Sequence, residues 1–414
     1  MTTDKPAGFR KAVNVLRPGP FRRYMIGEGI SVTGTWMQNM AQGWVMAQLT
    51  QSAFMLGLVN FASGLPMLLL TMTGGVFADR HDKRTILIIA QLVQIVTAIT
   101  MGVLVLKGWV TMWHVMAIAV VLGVVQAFEM PAVSAFVPEL VEKDEIADAI
   151  AMDRTIFHAT RLVGPALAGW IIGVFGAAIA YFSNAFSFLA LLVSLGTLKP
   201  RAAGTAEEEA ERQTGMKEGF AYIRSDRLTM AMIGLMAANT VFVFPLTAIL
   251  MPLYATKTLG LGPDGMGLLM AITGAGSVGG ALGLLNVARD KRLGRLGLAC
   301  TGMVLALLGL SMAGNFAAAA PLIALLAVSS STFFGLANTT ILERAPETMR
   351  GRVSSIAGLA TFGLMPVAGL VLTSLADVIG IRLALGLAAG CFALAAAYTL
   401  LGPVARLNAK PAEG

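Results

Sequence analysis

Residues 54–106 read FMLGLVNFASGLPMLLLTMTGGVFADRHDKRTILIIAQLVQIVTAITMGVLVL. Two apolar runs, 54–78 and 85–106, flank a short polar loop holding Asp79, Arg80, His81, Asp82, Lys83 and Arg84. A bilayer hydrocarbon core is ~30 Å thick, so a spanning helix needs ~20 mostly apolar residues. No water is present there to satisfy backbone N–H and C=O groups, and runs of this length are therefore read as helices. The same pattern repeats along the chain, at 22–47, 54–78, 85–106, 111–136, 146–173, 176–197, 228–252, 264–287, 295–314, 319–342, 351–376 and 381–402. The expected architecture is all-α and integral to the membrane, with twelve transmembrane helices.

Composition agrees: 56% of the 414 residues are hydrophobic and 13% charged, against ~25% charged in soluble domains. The net charge of +7 belongs to loops rather than to a nucleic-acid surface. Of the 30 Lys and Arg residues, three (Lys107, Lys257, Arg382) fall in one set of loops and Arg161 lies inside a run. The other 26 fall in the alternate set with the termini. That bias places both termini in the cytoplasm. The first apolar stretch is too long for a signal-peptide core and is expected to remain as the first span. Cys300 and Cys391 lie within runs, and His81, His114 and His158 are scattered, so no metal site or disulfide framework is expected.

The longest polar stretch, Lys199 to Arg227, splits the runs six and six. The expected organisation is a cytoplasmic segment 1–21, a bundle 22–197, a linker 198–227, a second bundle 228–402 and a tail 403–414. The linker carries Glu207, Glu208, Glu209 and Glu211, then an amphipathic stretch around residues 219–223 suited to a membrane surface. The halves echo each other. Basic loops follow the second and eighth runs (Arg80, Lys83, Arg84; Arg289, Lys291, Arg292), and Val137-Pro138-Glu139 matches Ala345-Pro346-Glu347. Internal repeats of this kind mark transporters with a midplane site between the halves.

The loop Gly74-Gly75-Val76-Phe77-Ala78-Asp79-Arg80-His81-Asp82-Lys83-Arg84 resembles the loop 2–3 signature of the major facilitator superfamily, with Asp82 where a Gly is usual. A tight reversal favours small residues at Gly75 and Ala78, and Asp79 can sit at a neighbouring helix N-terminus. The fifth run contains Arg161-Leu162-Val163-Gly164-Pro165-Ala166-Leu167-Ala168-Gly169, which resembles the end of the helix-five signature of superfamily exporters. Ala168 replaces one Gly there, and Thr160 and Arg161 stand where a further Gly is expected. Gly164, Ala168 and Gly169 would serve helix packing in any bundle. Longer similarity, through Gly34-Thr35-Trp36-Met37-Gln38, Pro131-Ala132 and Arg350-Gly351-Arg352-Val353, extends to the branch that includes the enterobactin exporter. The resemblance implies two pseudo-symmetric six-helix bundles that work by alternating access. It implies outward transport of a siderophore, drug or metabolite against protons, at a bacterial plasma membrane and without a cofactor. The helix-four arginine common in the superfamily is absent near Gln126.

Ionisable groups inside spans are functional candidates by default. Glu28 lies in the first run, Glu129 in the fourth, Asp153, Arg154 and Arg161 in the fifth. A carboxyl group out of water is a candidate proton carrier, which fits Glu28 and Glu129. Glu129 is expected to pair with Arg154 or Arg161, and Asp153 with Arg154 forms a second candidate ion pair. Arg161 suits an anion or a neighbouring carboxylate. Asp79 is expected to latch the cytoplasmic side against the start of the eleventh run, at Arg350 and Arg352. Gly274-Ala275-Gly276-Ser277-Val278-Gly279 spells G-x-G-x-x-G inside a run without a βαβ context, so helix packing is expected rather than a nucleotide. No ATPase or hydrolase motif is present, and the chain is expected not to be an enzyme. The expected partners are a small-molecule substrate, protons and lipid, with no nucleic acid and a monomeric working form. An importer or uniporter of the same fold stays open, as does a non-transporting sensor or assembly protein.

Overall fold

The strongest helix-start signals are short polar caps at the run boundaries. Asp82 accepts from the backbone N–H of Arg84 (3.3 Å) and Thr85 (3.1 Å). Thr111 and His114 close a capping box, and Asn315 accepts from the Ala318 N–H at 2.9 Å. These side chains satisfy donors that a helix start leaves free. The computed structural model describes residues 15–198, 216–284, 287–288, 291–346 and 349–404. Lys5, Arg10, Lys11, the acidic part of the linker, Arg289, Glu347, Arg406 and Lys410 lie outside the described residues.

The helices are α1 (Pro20–Leu49), α2 (Ala53–Arg80), α3 (Lys83–Leu106), α4 (Met112–Phe136), α5 (Ile146–Phe175), α6 (Ala177–Thr197), the short α7 (Met216–Ser225), and α8 (Arg227–Thr258). They continue as α9 (Pro263–Leu282), α10 (Arg292–Met312), α11 (Phe316–Arg344), α12 (Arg350–Ile379) and α13 (Ile381–Gly402). Among the described residues, 10 of these are long and apolar enough to cross a membrane. The remaining two long helices, α1 and α5, have 30 residues each. They fall short in apolarity because α1 carries Gln38, Asn39, Gln42 and Gln48 besides Glu28, and α5 carries Asp148, Asp153, Arg154 and Arg161. A helix therefore stands at each of the twelve expected spans, and the two least apolar are one rich in amides and one rich in charge.

The chain divides into two compact units, residues 1–49 with 62–205 and residues 50–61 with 206–414. The first turns of α2 thus belong to the second unit and the remainder of that helix to the first. Within the first unit α1 packs on α5 and α6, and α3 on α4 and α6. Gly27 and Gly34, seven residues apart, bring α1 close to Ser194 and Ser187 of α6. Its core lies at the basic end, where Tyr24 meets Phe136 edge to face at 5.4 Å among Ala78, Leu87 and Leu195. In the second unit α9 and α10 pack on α11, and α8 and α10 on α13. Gly276 and Gly280 of α9 abut the α11 backbone, so the glycine-rich stretch serves packing. π-helical turns interrupt α8 at Leu246–Leu250 and Tyr254–Thr258, next to Pro245 and Pro252, and α12 at Leu359–Gly363, ahead of Pro366. A proline that lacks its N–H favours such irregular turns.

The repeat is visible in single dihedral angles. Gly176, between α5 and α6, has φ 85° and ψ 163°. Gly380, between α12 and α13, has φ 86° and ψ 151°. Only glycine adopts this region readily, so the same reversal closes the last helix pair of each half.

The glycine that matters in the loop 2–3 stretch is Gly74, not Gly75. A Cβ at Gly74 would collide with the Ala127 carbonyl of α4, and one at Gly123 with the Ser63 carbonyl of α2. Gly75 faces open space. The same substitution should therefore act with opposite sign at adjacent positions. Gly74→Ala is expected to destabilise by about 1–3 kcal/mol through overpacking. Gly75→Ala should be neutral or stabilising by about 0.5–1 kcal/mol, because alanine loses less backbone entropy in a helix. Melting curves in detergent check this, and equal effects at the two sites would exclude the close α2–α4 crossing.

Candidate functional site: a polar seam in the first unit

Inside the first unit, polar groups converge from α1, α3 and α4. Gln91 and Gln94 are three residues apart on α3, so both amides point from one helix face. Gln91 Nε2 donates to Glu129 Oε1 at 2.8 Å, and Gln94 Nε2 donates to Glu129 Oε2 at 2.6 Å. Ser31 Oγ of α1 donates to Gln91 Oε1 at 3.3 Å. Gln91 and Ser31 are 1% and 3% exposed. One turn before Ser31, Glu28 is half-buried and within electrostatic range of both Glu129 and Asp153. Further along α1, Asn184 Nδ2 of α6 donates to Gln38 Oε1 at 2.8 Å, and Ser187 Oγ donates to Asn184 Oδ1 at 2.9 Å. A groove of about 490 Å³ runs along the same unit, between Met25–Met37 of α1, Ile156 of α5 and Phe186 of α6.

This arrangement corrects the expected partner of Glu129. Its carboxylate is held by two glutamine amides, and it makes no ion pair with Arg154 or Arg161 within 4.0 Å. Arg154 is exposed; Asp153 is half-buried beside it, within electrostatic range. The two glutamines escaped the sequence reading. Their signal was two amides at helical spacing in an otherwise apolar run, next in sequence to a span with a buried acid.

Arg161 sits over the Trp36 ring, its guanidinium carbon 5.4 Å from the centroid, and Phe157 meets Trp36 edge to face at 5.8 Å. Among the described residues no carboxylate pairs with Arg161. Gly164 faces α1 where a Cβ would strike the Trp36 side chain and lie 2.9 Å from the Thr33 carbonyl oxygen. Pro165, Ala168 and Gly169 are buried. The small residues of the helix-five stretch thus bring α5 against α1, and Arg161 and Trp36 meet at that contact.

At the basic end, the loop 2–3 cations tie helix ends together. Lys83 pairs with Glu139 at 2.9 Å, with both side chains at most 15% exposed. Arg84 donates from Nε to the Leu195 carbonyl (2.6 Å) and from its terminal nitrogen to the Gly196 carbonyl (2.9 Å), closing the C-terminus of α6. Asp79 and Arg80 are exposed. The carboxylate at the α3 N-terminus is Asp82, the departure from the family pattern, rather than Asp79. The second unit repeats the scheme. Arg292 pairs with Glu343 at 2.6 Å, and Arg295 donates to the Gly283 carbonyl at 2.8 Å. Arg352 pairs with Glu218 of α7 at 2.6 Å, and Arg350 Nε donates to the Leu342 carbonyl at 3.1 Å. The α7 helix is further anchored by Tyr222, whose hydroxyl donates to the Arg344 carbonyl at 2.7 Å. Asp226 caps α8 through the Thr229 N–H (3.1 Å) and takes a two-pronged bond from Arg344 (2.8 and 2.7 Å). The Arg344 guanidinium, with the Thr229 bonds, holds the Asp226 carboxyl down to about 2, against an ordinary value of 3.8.

A family model described as "Transmembrane secretion effector" matches residues 11–413. The chain is 26% identical over 404 residues to the multidrug efflux pump Tap of Mycolicibacterium fortuitum, covering 94% of this chain and 95% of that one. It is 25% identical over 374 residues to macrolide efflux protein A of Streptococcus pyogenes, covering 86% and 89%. The fold is similar to a crystal structure of a bacterial homologue of the iron transporter ferroportin in its inward-facing state. That likeness has a TM-score of 0.71 at 14% identity and covers 93% of this chain and 98% of that chain.

A carboxyl whose folded value lies below its unfolded value adds stability above the unfolded value and loses it as pH falls through the folded one. Asp226→Asn should therefore lower the melting temperature at neutral pH. The gap to wild type should close as pH falls from 3.8 to about 2. A gap that stays constant over that window would remove the Arg344–Asp226 bond as its cause.

Proposed function

Because the chain belongs to the transmembrane secretion effector family of the major facilitator superfamily, we propose that it exports a small amphipathic molecule in exchange for protons. As a family member it is a multi-pass membrane protein and a secondary transporter, not an enzyme. The direction of transport, proton coupling and cargo class are the steps we infer. Two relatives that align over most of their length are efflux proteins, which supports outward transport. The basic loops support an orientation with both termini in the cytoplasm, in a bacterial plasma membrane, and the working form is a monomer.

The observation that carries the reading is the polar seam. Carboxylates inside a span are expensive, and Glu28 of α1 is within electrostatic range of Glu129, which the α3 amides hold. The two carboxylates supply the proton-carrying groups, with Glu129 held by amides that leave it able to bind or release a proton. Arg161 over Trp36 supplies a cation and an aromatic face for an anionic or aromatic part of the cargo. Asp79 and the cations around it act at the gating step, together with the start of α12 at Arg350 and Arg352.

The test is flux in liposomes holding the purified chain, using a compound found by growth protection of an efflux-deficient bacterium. An imposed pH gradient should drive accumulation. Glu129→Gln should abolish the pH-driven component while leaving exchange of labelled for unlabelled cargo. Asp79→Asn should insert normally and transport near background. Flux that is indifferent to the gradient would point to a uniporter, and gradient-driven movement in the same direction as the protons would point to an importer.

A further inference from the structure

The bonds around Glu129 contain an asymmetry. An ionised carboxylate is an acceptor at both oxygens, and both receive amide N–H bonds from α3. A proton from water that binds one oxygen adds an O–H donor beside an N–H group, and an amide that reverses to present its carbonyl gives that O–H its acceptor. The two glutamines are not equivalent in this respect. Gln94 has its Nε2 on Glu129, and among the described residues no side-chain donor meets its Oε1. Reversing Gln94 would turn its amide N–H away from its one side-chain partner, in a position that is 8% exposed. Gln91 is bonded at both ends, to Glu129 and to Ser31. Reversing Gln91 loses nothing, because a hydroxyl can accept as well as donate. The Ser31 proton can then turn to the carbonyl one turn back, as Thr33 does to Gly29 (2.7 Å) and Thr35 to Ser31 (3.1 Å).

We propose that Gln91 is a reversible amide hinge that carries the protonation state of Glu129 on α4 across to Ser31 on α1. It is a positioning residue rather than a proton carrier, and its link to transport rests on the proton-coupled reading above. The reversal changes whether α1 donates to or accepts from α3 at Ser31, which lies in the same helix as Glu28 and Trp36. The titratable and charged groups facing Glu129 among the described residues are Tyr24 and Glu28 from α1 and, beyond Glu28, Asp153 with Arg154 from α5. The α3 helix presents the two amides, and α2 brings Phe77, stacked on His81, against Phe128.

The experiment is infrared difference spectroscopy on the full chain in lipid discs, with isotope-labelled glutamine side chains, between neutral and acidic pH. In wild type, acidification should produce a protonated-carboxyl band and a labelled-amide change with the same midpoint. Glu129→Gln should lose both. Gln91→Leu should keep the carboxyl band and lose the amide change, whereas Gln94→Leu, a matched loss in the same helix, should keep both. An amide change that survives in Gln91→Leu, or a wild type without one, would overturn the hinge. The spectra need no flux. A failure of pH-driven transport would therefore count against the function proposed above and leave the hinge to be judged separately.

Discussion

A carboxylate inside the hydrocarbon region must find donors within the protein, and the first unit is arranged around meeting that demand at Glu129. Two amides from α3 supply the donors, and Ser31 of α1 completes the chain. Those bonds fix how α3 faces α4 and where α1 meets α3. On α1, Gln38 meets Asn184 of α6, and Trp36 lies under the Arg161 guanidinium of α5.

Charge plays a different part at the basic end of each unit. Lys83–Glu139 and Arg292–Glu343 join the helix that follows a basic loop to the end of another helix, and Arg84 and Arg295 donate to helix-terminal carbonyls. Surface pairs contribute little in isolation, ~0–1 kcal/mol. Lys83–Glu139 is largely enclosed and ties together the loop 2–3 turn and the segment after α4. The charged residues that mark the family's loop signature thus divide into two kinds. Lys83 and Arg84 are committed to the architecture, while Asp79 and Arg80 remain at the surface.

The spans, the six-plus-six organisation and the family were legible in the sequence, because hydrophobic length and loop charge are properties of the chain itself. The amphipathic stretch within the linker was legible for the same reason and folds as α7. Rotation of a helix about its own axis was not legible, and each error traces to it. Gly74 and Gly75 are equally small in the sequence, and only the direction each faces separates them. The sequence order of α4 and α5 points Glu129 to Arg154 or Arg161, yet its side chain meets α3. Asp82, three residues before Thr85, has the residue type and spacing of a helix cap, although it departs from the family pattern. The matching dihedral angles at Gly176 and Gly380 show the repeat more firmly than any residue identity does.

The close crossing at Gly74 has a consequence for the acid. Gly74 lies against the backbone of Ala127 and Phe128, and Glu129 is the next residue along α4. The absent side chain works as a depth gauge. It lets α4 settle at one height against α2, and that height bears on whether Glu129 is level with Gln91 and Gln94. A spacer of a single methyl group at that crossing would raise or lower the carboxyl relative to its amides without touching any of them.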